Sequence, residues 1–397
     1  MDNALALRAS GPSGPRGFES HSRRCFFKLT SASVPKMRDL TITLKRVVLN
    51  FSGVGKGEHM GTLSLGARNA VEVCMGVKPQ EHVLIVTDKG TYPVGNALRL
   101  AAKEITQSVE MHVLEDYGTR PLTSLPKNIE ISIPKADVTF WAAQSMKGEL
   151  HAIRGPFMAT ALKYARHAHL PSVTVRCMEE GMCSDYRKIS EFTQKLYETV
   201  TNAKTVKVEN PQGTKLRIEL NRDWKWLKRD GIYHQKGEWG NLPEGELFTA
   251  PFEVNGQMVI DELGDWIGDK YGCLTKPENT SDTPVHLSVS RSRVDFKTIE
   301  CKNTQLKQEL TDYLRTDENS NRAGELALPT NLELLAKPLI GNLLQDEKAR
   351  VHIAFGDPYS DLTGADWRSK THIDGLLKNC DVWADGRKLL DADHYLI

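Results

Sequence analysis

The chain reads as an α/β protein in two parts. An N-terminal part alternates strands and helices around a mainly parallel sheet, and a C-terminal α+β part carries the candidate metal site. Three observations predict this. Across residues 60–203, short apolar runs of strand length alternate with amphipathic stretches of helical period. Beyond residue 203 the texture changes to alternating runs broken by turn sequences. The length, 397 residues, is enough for two domains and a sizeable core.

The first 59 residues stand apart. Residues 1–36 are rich in Ser, Gly, Pro and Arg and show neither helical nor strand period. One reading is a basic, acid-poor transit presequence. The preferred reading rests on codons. Gly17-Phe18-Glu19-Ser20 can be encoded by the T-arm consensus of a transfer RNA gene. Lys56-Gly57-Glu58-His59 can be encoded by a ribosome-binding site placed before the Met60 codon. Translation is therefore expected to begin at Met60, with residues 1–59 an over-extended segment. Residues 1–59 hold 10 Lys and Arg against 4 Asp and Glu, and removing them from the totals of 52 and 51 leaves 42 against 47. A mildly acidic protein gives no electrostatic case for nucleic acid.

In the first part, residues 63–75 form an amphipathic helix ended by Gly76. Residues 81–87 are a buried strand, 93–105 an Ala/Leu-rich helix, and 109–114 and 136–143 further strands. A helix over 157–167 leads to a strand at 172–176, and 186–201 is again helical. Such alternation predicts a parallel sheet covered on both faces. Asp88-Lys89-Gly90-Thr91-Tyr92-Pro93-Val94-Gly95 matches neither dinucleotide fingerprint nor P-loop, so no nucleotide cofactor is expected. Residues 204–397 begin with alternating runs around the turn Asn210-Pro211-Gln212-Gly213. Asn255-Gly256 is read as a two-residue hairpin turn, and residues 304–314 as a helix.

The chemistry concentrates between residues 345 and 375. His352 sits in the alternating run Val351-His352-Ile353-Ala354-Phe355, and His372-Ile373-Asp374 alternates likewise. Residues i and i+2 of a strand share a face, so His372 and Asp374 point the same way. Imidazole and carboxylate suit divalent zinc, cobalt, manganese or iron. A hydrogen-bonded structural role for each His stands beside this reading.

Four motifs in order then carry a resemblance: N-L-P-E-G-E-L-F-T-A-P, A-G-E-L-A-L-P-T-N, D-E-K-A-R-V-H-I-A-F-G-D-P-Y and H-I-D-G. The chain from Met60 onward resembles the thermophilic metallo-aminopeptidase family, that of aminopeptidases T and S. The resemblance implies metal ligands at Glu246, Glu325, His352, Tyr359, His372 and Asp374, with Glu347 where the family has an acidic residue of proposed catalytic role. It also implies two divalent ions (zinc, cobalt or manganese), a homodimer, peptide substrates and release of N-terminal amino acids. Two adjacent ions can share and acidify a water, and Glu347 can take its proton. The sequence departs from the family at Lys348, where members tend to have Asn. The stretch from Tyr359 to His372 is also short. A related dihydroxypyridine ring-opening dioxygenase uses one iron on two His and one Asp, a pattern that His352, His372 and Asp374 satisfy. A non-catalytic metal-binding homologue is the third class.

Other features point away from partners. No apolar run reaches the ~18 residues of a membrane span. The seven Cys lack a C-x-x-C pair, which predicts reduced thiols in the cytoplasm. His167-Ala168-His169 is read as a surface or capping element at a helix end. Trp224-Lys225-Trp226-Leu227-Lys228-Arg229 is read as a pocket wall or dimer contact.

Overall fold

The computed structural model describes residues 61–268, 272–274, 278–279 and 284–397, which fall in one compact unit. The expected start at Met60 and the segment before it lie outside the described residues. The architecture is a mixed α/β fold with one parallel and two mainly antiparallel sheets.

The parallel sheet forms because its strands are apolar on both sides. Val83–Thr87 and Val138–Ala142 are buried at every residue. In space the order is Val109–Val113, Val83–Thr87, Val138–Ala142, Arg166–His169 and Trp239–Asn241, all parallel. Val83, Ile85 and Phe140 pack into a core on one face, and Leu84, Val86 and Trp141 into a core on the other. The flanking helices begin where the sequence provides for it. Tyr92–Lys103 has Pro93 in its first turn, and Tyr186–Val200 is capped by Asp185, which accepts from the Arg187 and Lys188 amides. The Asp88 carboxylate accepts from Thr91, Gln144 and Arg120, so that loop is committed to its own structure.

Three expectations are corrected here. The fourth strand is Arg166–His169, not 172–176, and Val175–Glu179 is a short helix capped by Thr174. His167 and His169 therefore lie inside the sheet, not at the surface: His167 is fully buried and its Nε2 is 3.1 Å from His169 Nδ1. Asn255-Gly256 is not a turn. The strand Glu253–Ile260 runs through it, pairing Gly256 with Leu216 on one side and Val289 on the other. Gly256 is needed there because a Cβ would lie 1.9 Å from the Lys215 carbonyl oxygen, at φ +135°. Trp224 packs with Ala250, Ala365 and Trp367, and Trp226 joins the large core between the antiparallel sheets, so both are packing residues.

The second antiparallel sheet positions the site. Its centre runs Glu262–Gly268, His372–Leu377, Val351–Gly356, Ala323–Pro329 and Glu246–Thr249. Strand alternation splits these residues cleanly. Leu247, Leu326, Leu328, Ile353, Phe355 and Ile373 face the large core. The residues between them face the other way and carry the polar groups. Within the described residues, no helix is long and apolar enough to cross a membrane.

Candidate metal centre

Register brings the expected residues together. Ala354 pairs with Asp374 on one side and Glu325 on the other, and Ala327 pairs with both His352 and Phe248. Pro329 pairs with Glu246. Since i and i+2 share a face, Glu246, Glu325, His352, His372 and Asp374 all stand on the same side of one sheet. Ala327, Ala354 and Gly356 leave room between them. All five donors are buried.

The spacing also suits ligands that share one ion. His352 Nε2 lies 3.4 Å from Glu325 Oε1 and 3.8 Å from Glu246 Oε2. His372 Nε2 lies 3.6 Å from Glu325 Oε2 and 3.2 Å from Asp374 Oδ1. Nitrogen and oxygen ligands at ~2.1 Å from one ion, at a tetrahedral angle, are themselves about 3.4 Å apart. Glu246, Glu325 and His352 offer atoms all within 4.8 Å of one another. Glu246 Oε2 is buried without a hydrogen-bond partner, an orphaned acceptor that a cation would satisfy. The second ring nitrogens are oriented from behind. His372 Nδ1 meets the Asp357 carbonyl at 2.9 Å and His352 Nδ1 the Arg350 carbonyl at 3.2 Å. The donor set fits a divalent ion.

The electrostatics agree. Burial alone would depress both imidazoles. For His352 the bond to Glu325 and the charges of Asp374 and Glu246 overcome it, and its pKa is raised to about 9. For His372, Asp374 and Glu325 raise it to about 10. Burial works against ionisation of Asp374, but the two imidazoles and Lys348 hold its carboxyl below the usual range. The field at this face favours positive charge.

Tyr359 and Glu347 complete the wall. Tyr359 adopts a left-handed backbone at φ +53° before the turn Ser360–Thr363, a strained conformation for a non-glycine residue. Its ring lies 4.8 Å from the His372 ring. Glu347 sits in the turn Glu347–Ala349, where burial pushes its carboxyl up against the opposing pull of Lys348. The centre opens into a cavity of about 80 Å³. It shares Trp239, Asn241, Ile267, Glu347 and Tyr359 with a second chamber of about 200 Å³, lined further by Leu150, Met158, Leu343 and Leu344.

Two residues were not legible as parts of the site. Lys348, 1% exposed, places Nζ 2.6 Å from Glu246 Oε1, 2.6 Å from Glu347 Oε1 and 3.5 Å from Glu244 Oε2. Glu244 is as buried, and Tyr233 donates to its other oxygen at 3.0 Å. The repeat Glu244-Gly245-Glu246 was the available signal, two carboxylates at strand spacing. Lys348 was visible only as a neighbour of Glu347 in sequence.

Two family models match overlapping parts of the chain. One, 2,5-dihydroxypyridine 5,6-dioxygenase, matches residues 179–294. The other, thermophilic metalloprotease (M29), matches residues 274–377, which include Glu325, Glu347, His352, Tyr359, His372 and Asp374. The family resemblance is borne out by this second match, which spans three of the four motifs; the first, with Glu246, lies within the residues that the dioxygenase model matches. A sequence search of curated proteins gives no match. Among solved structures, wild-type AmpT from Thermus thermophilus is 18% identical, with a TM-score of 0.62, covering 84% of this chain and 99% of that chain. The 2,5-dihydroxypyridine dioxygenase from Pseudomonas putida is 15% identical, with a TM-score of 0.59, covering 84% of this chain and 96% of that one. Both likenesses establish the fold.

Proposed function

We propose that the chain is a metal-dependent aminopeptidase that releases N-terminal amino acids from peptides. The observation that carries this reading is the donor set itself: Glu246 and Glu325 stand beside the His352, His372 and Asp374 trio on one sheet face. A bare two-His, one-carboxylate centre has no need of these two additional buried carboxylates.

His352, His372, Asp374, Glu325 and Glu246 would hold the metal, with Tyr359 against His372. When bound, a divalent ion supplies Lewis acidity, lowering the pKa of a water and polarising a carbonyl. Glu347 lines both chambers, and its Oε1 is paired with the Lys348 ammonium. Its second oxygen accepts the proton of the attacking water and returns it to the departing amine. Leu150, Met158, Leu343 and Leu344 give the neighbouring chamber an apolar lining that accommodates an apolar side chain of the peptide. Trp239 and Tyr359 line both chambers.

The test is hydrolysis of an aminoacyl-arylamide and dipeptide panel by chelator-treated protein resupplied with zinc, cobalt or manganese. Release of the N-terminal residue, with preference for apolar side chains, is the expected result. No turnover with any of these metals would overturn the reading. One observation favours a ring-opening dioxygenase instead. The Lys348 ammonium already pairs with Glu246 and Glu347, which leaves His352, His372 and Asp374, a two-His, one-carboxylate set, with Glu325 as the one further carboxylate beside the imidazoles. Ferrous iron, oxygen and 2,5-dihydroxypyridine test that alternative directly.

A further inference from the structure

We propose that the buried ammonium of Lys348 stands in for one of the two divalent ions expected here, so that the centre takes a single ion at the Glu325, His352, His372 and Asp374 end. This rests on the reading of the site as a metal centre.

The carboxylates at this face divide into two groups. Glu325 and Asp374 face imidazole nitrogens at 3.2–3.6 Å. Glu246 Oε1 and Glu347 Oε1 are each 2.6 Å from Lys348 Nζ, and Glu244 Oε2 is 3.5 Å from it. The ammonium donates to Glu246 Oε1 and is ion-paired with Glu347, while Glu244 Oε2 lies within ion-pair range without a hydrogen bond. That is the surrounding a hard cation takes, with the cation supplied by the chain. The shortest imidazole contacts are with Glu325 and Asp374, and the ion pairs of the ammonium are with the carboxylates of Glu244, Glu246 and Glu347.

A divalent ion bound through Glu246 Oε1 and Glu347 would have to displace the ammonium from both oxygens. It would also leave that ammonium a few ångströms away in a buried site, where like charges repel far more strongly than in water. Lys348 cannot withdraw to solvent. Its side chain is 1% exposed, and its backbone lies in the turn Glu347–Ala349, all three residues of which are buried. Glu246 remains useful to the retained ion through Oε2, the oxygen that faces His352 and has no hydrogen-bond partner. One carboxylate thus joins the two positive charges without sharing an oxygen between them.

Metal stoichiometry tests this independently of activity. The full chain is stripped with a chelator, equilibrated with zinc and, separately, cobalt, and counted by elemental mass spectrometry, native mass spectrometry and calorimetric titration. The wild type is expected to take one tight equivalent. Lys348→Asn and Lys348→Ala remove the ammonium and open its position, and each is expected to take two. Ala brings no ligand of its own, so a gain in that variant reports the vacated oxygens. Two tight equivalents in the wild type would overturn the proposal while sparing the metal-centre reading, and none would overturn both. One equivalent in both variants, with wild-type circular dichroism, would also overturn it. If both variants misfold, the wild-type count alone decides.

Discussion

Replacing Lys348 by Met keeps the length of the side chain and removes its charge, which isolates what the ammonium does for the metal-free fold. At 2.6 Å and an effective dielectric near 20, each of the two close pairs is worth about 6 kcal/mol of Coulomb attraction. Bringing the ions out of water costs several kcal/mol apiece, so this attraction is largely offset while the pairs are intact. Removing one partner strands the others, at a typical cost of about 3–5 kcal/mol. In a protein of this size that corresponds to a fall in melting temperature of roughly 4–6 °C. The loss carries a pH signature. Burial pushes Glu244 up to about 7, and Glu347 well above the usual range, both against the pull of Lys348. A carboxyl whose folded pKa is raised stabilises the fold below its unfolded pKa and loses that contribution as pH rises through the folded value. Without the ammonium both values rise further, so the variant should be close to wild type at pH 5.5 and fall behind as the pH passes 7. Thermal melts of chelator-treated Lys348→Met and wild type at pH 5.5, 7 and 8.5 measure this. A difference under 1 kcal/mol at every pH would refute the view that Lys348 compensates these carboxylates.

Other perturbations separate the remaining roles. Glu347→Gln is nearly isosteric and cannot accept a proton near neutral pH. It should keep its metal and fold while hydrolysis slows by ~10²–10⁴-fold, whereas His372→Ala should lose metal outright; metal content and aminopeptidase rate measured together distinguish the two. His167 provides a stability test away from the centre. Burial lowers its pKa to about 3, so its neutral form stabilises the fold fully above an unfolded value near 6.5, and that contribution drains as pH falls towards 3. Urea midpoints should therefore drop between pH 7 and 4, and His167→Gln should flatten the drop by an amount on the order of a few kcal/mol. An unchanged slope in that variant would count against a buried neutral imidazole.

Much of this was readable from the chain because period and chemistry coincide. Val351-His352-Ile353-Ala354-Phe355 alternates core and site residues, so the strand and the orientation of His352 follow from one pattern. The same holds for His372-Ile373-Asp374. What failed was local. The run Arg166-His167-Ala168-His169 is polar by composition, yet it forms a buried strand. Thr139 satisfies His167, the two rings meet each other, and Arg166 bonds to Glu81 and two backbone carbonyls. Tertiary partners overrode a sequence that reads as surface. Asn255-Gly256 carries a strong turn signal, but Gly256 serves close strand packing instead. Glu244 stayed hidden and Lys348 was visible only as a cation beside Glu347, because their roles come from contact across the fold, with Lys348 reaching a residue 102 positions away.

That long reach bears on how the fold accommodates different chemistry. The sheet positions Glu325, His352, His372 and Asp374 through register, and register is fixed by the apolar residues on the opposite face. Those positions would therefore survive changes in the turn at 347–349. The turn, by contrast, supplies the charge that Glu246 and Glu347 meet. A neutral residue at position 348 leaves those carboxylates to recruit a cation from solution, whereas lysine provides one that cannot dissociate. A scaffold that resembles both a metallopeptidase and a ring-opening dioxygenase can then differ in metal count through one side chain, without moving a single strand. On this argument the residue to vary first, in asking what this centre does, is the lysine and not any of the ligands.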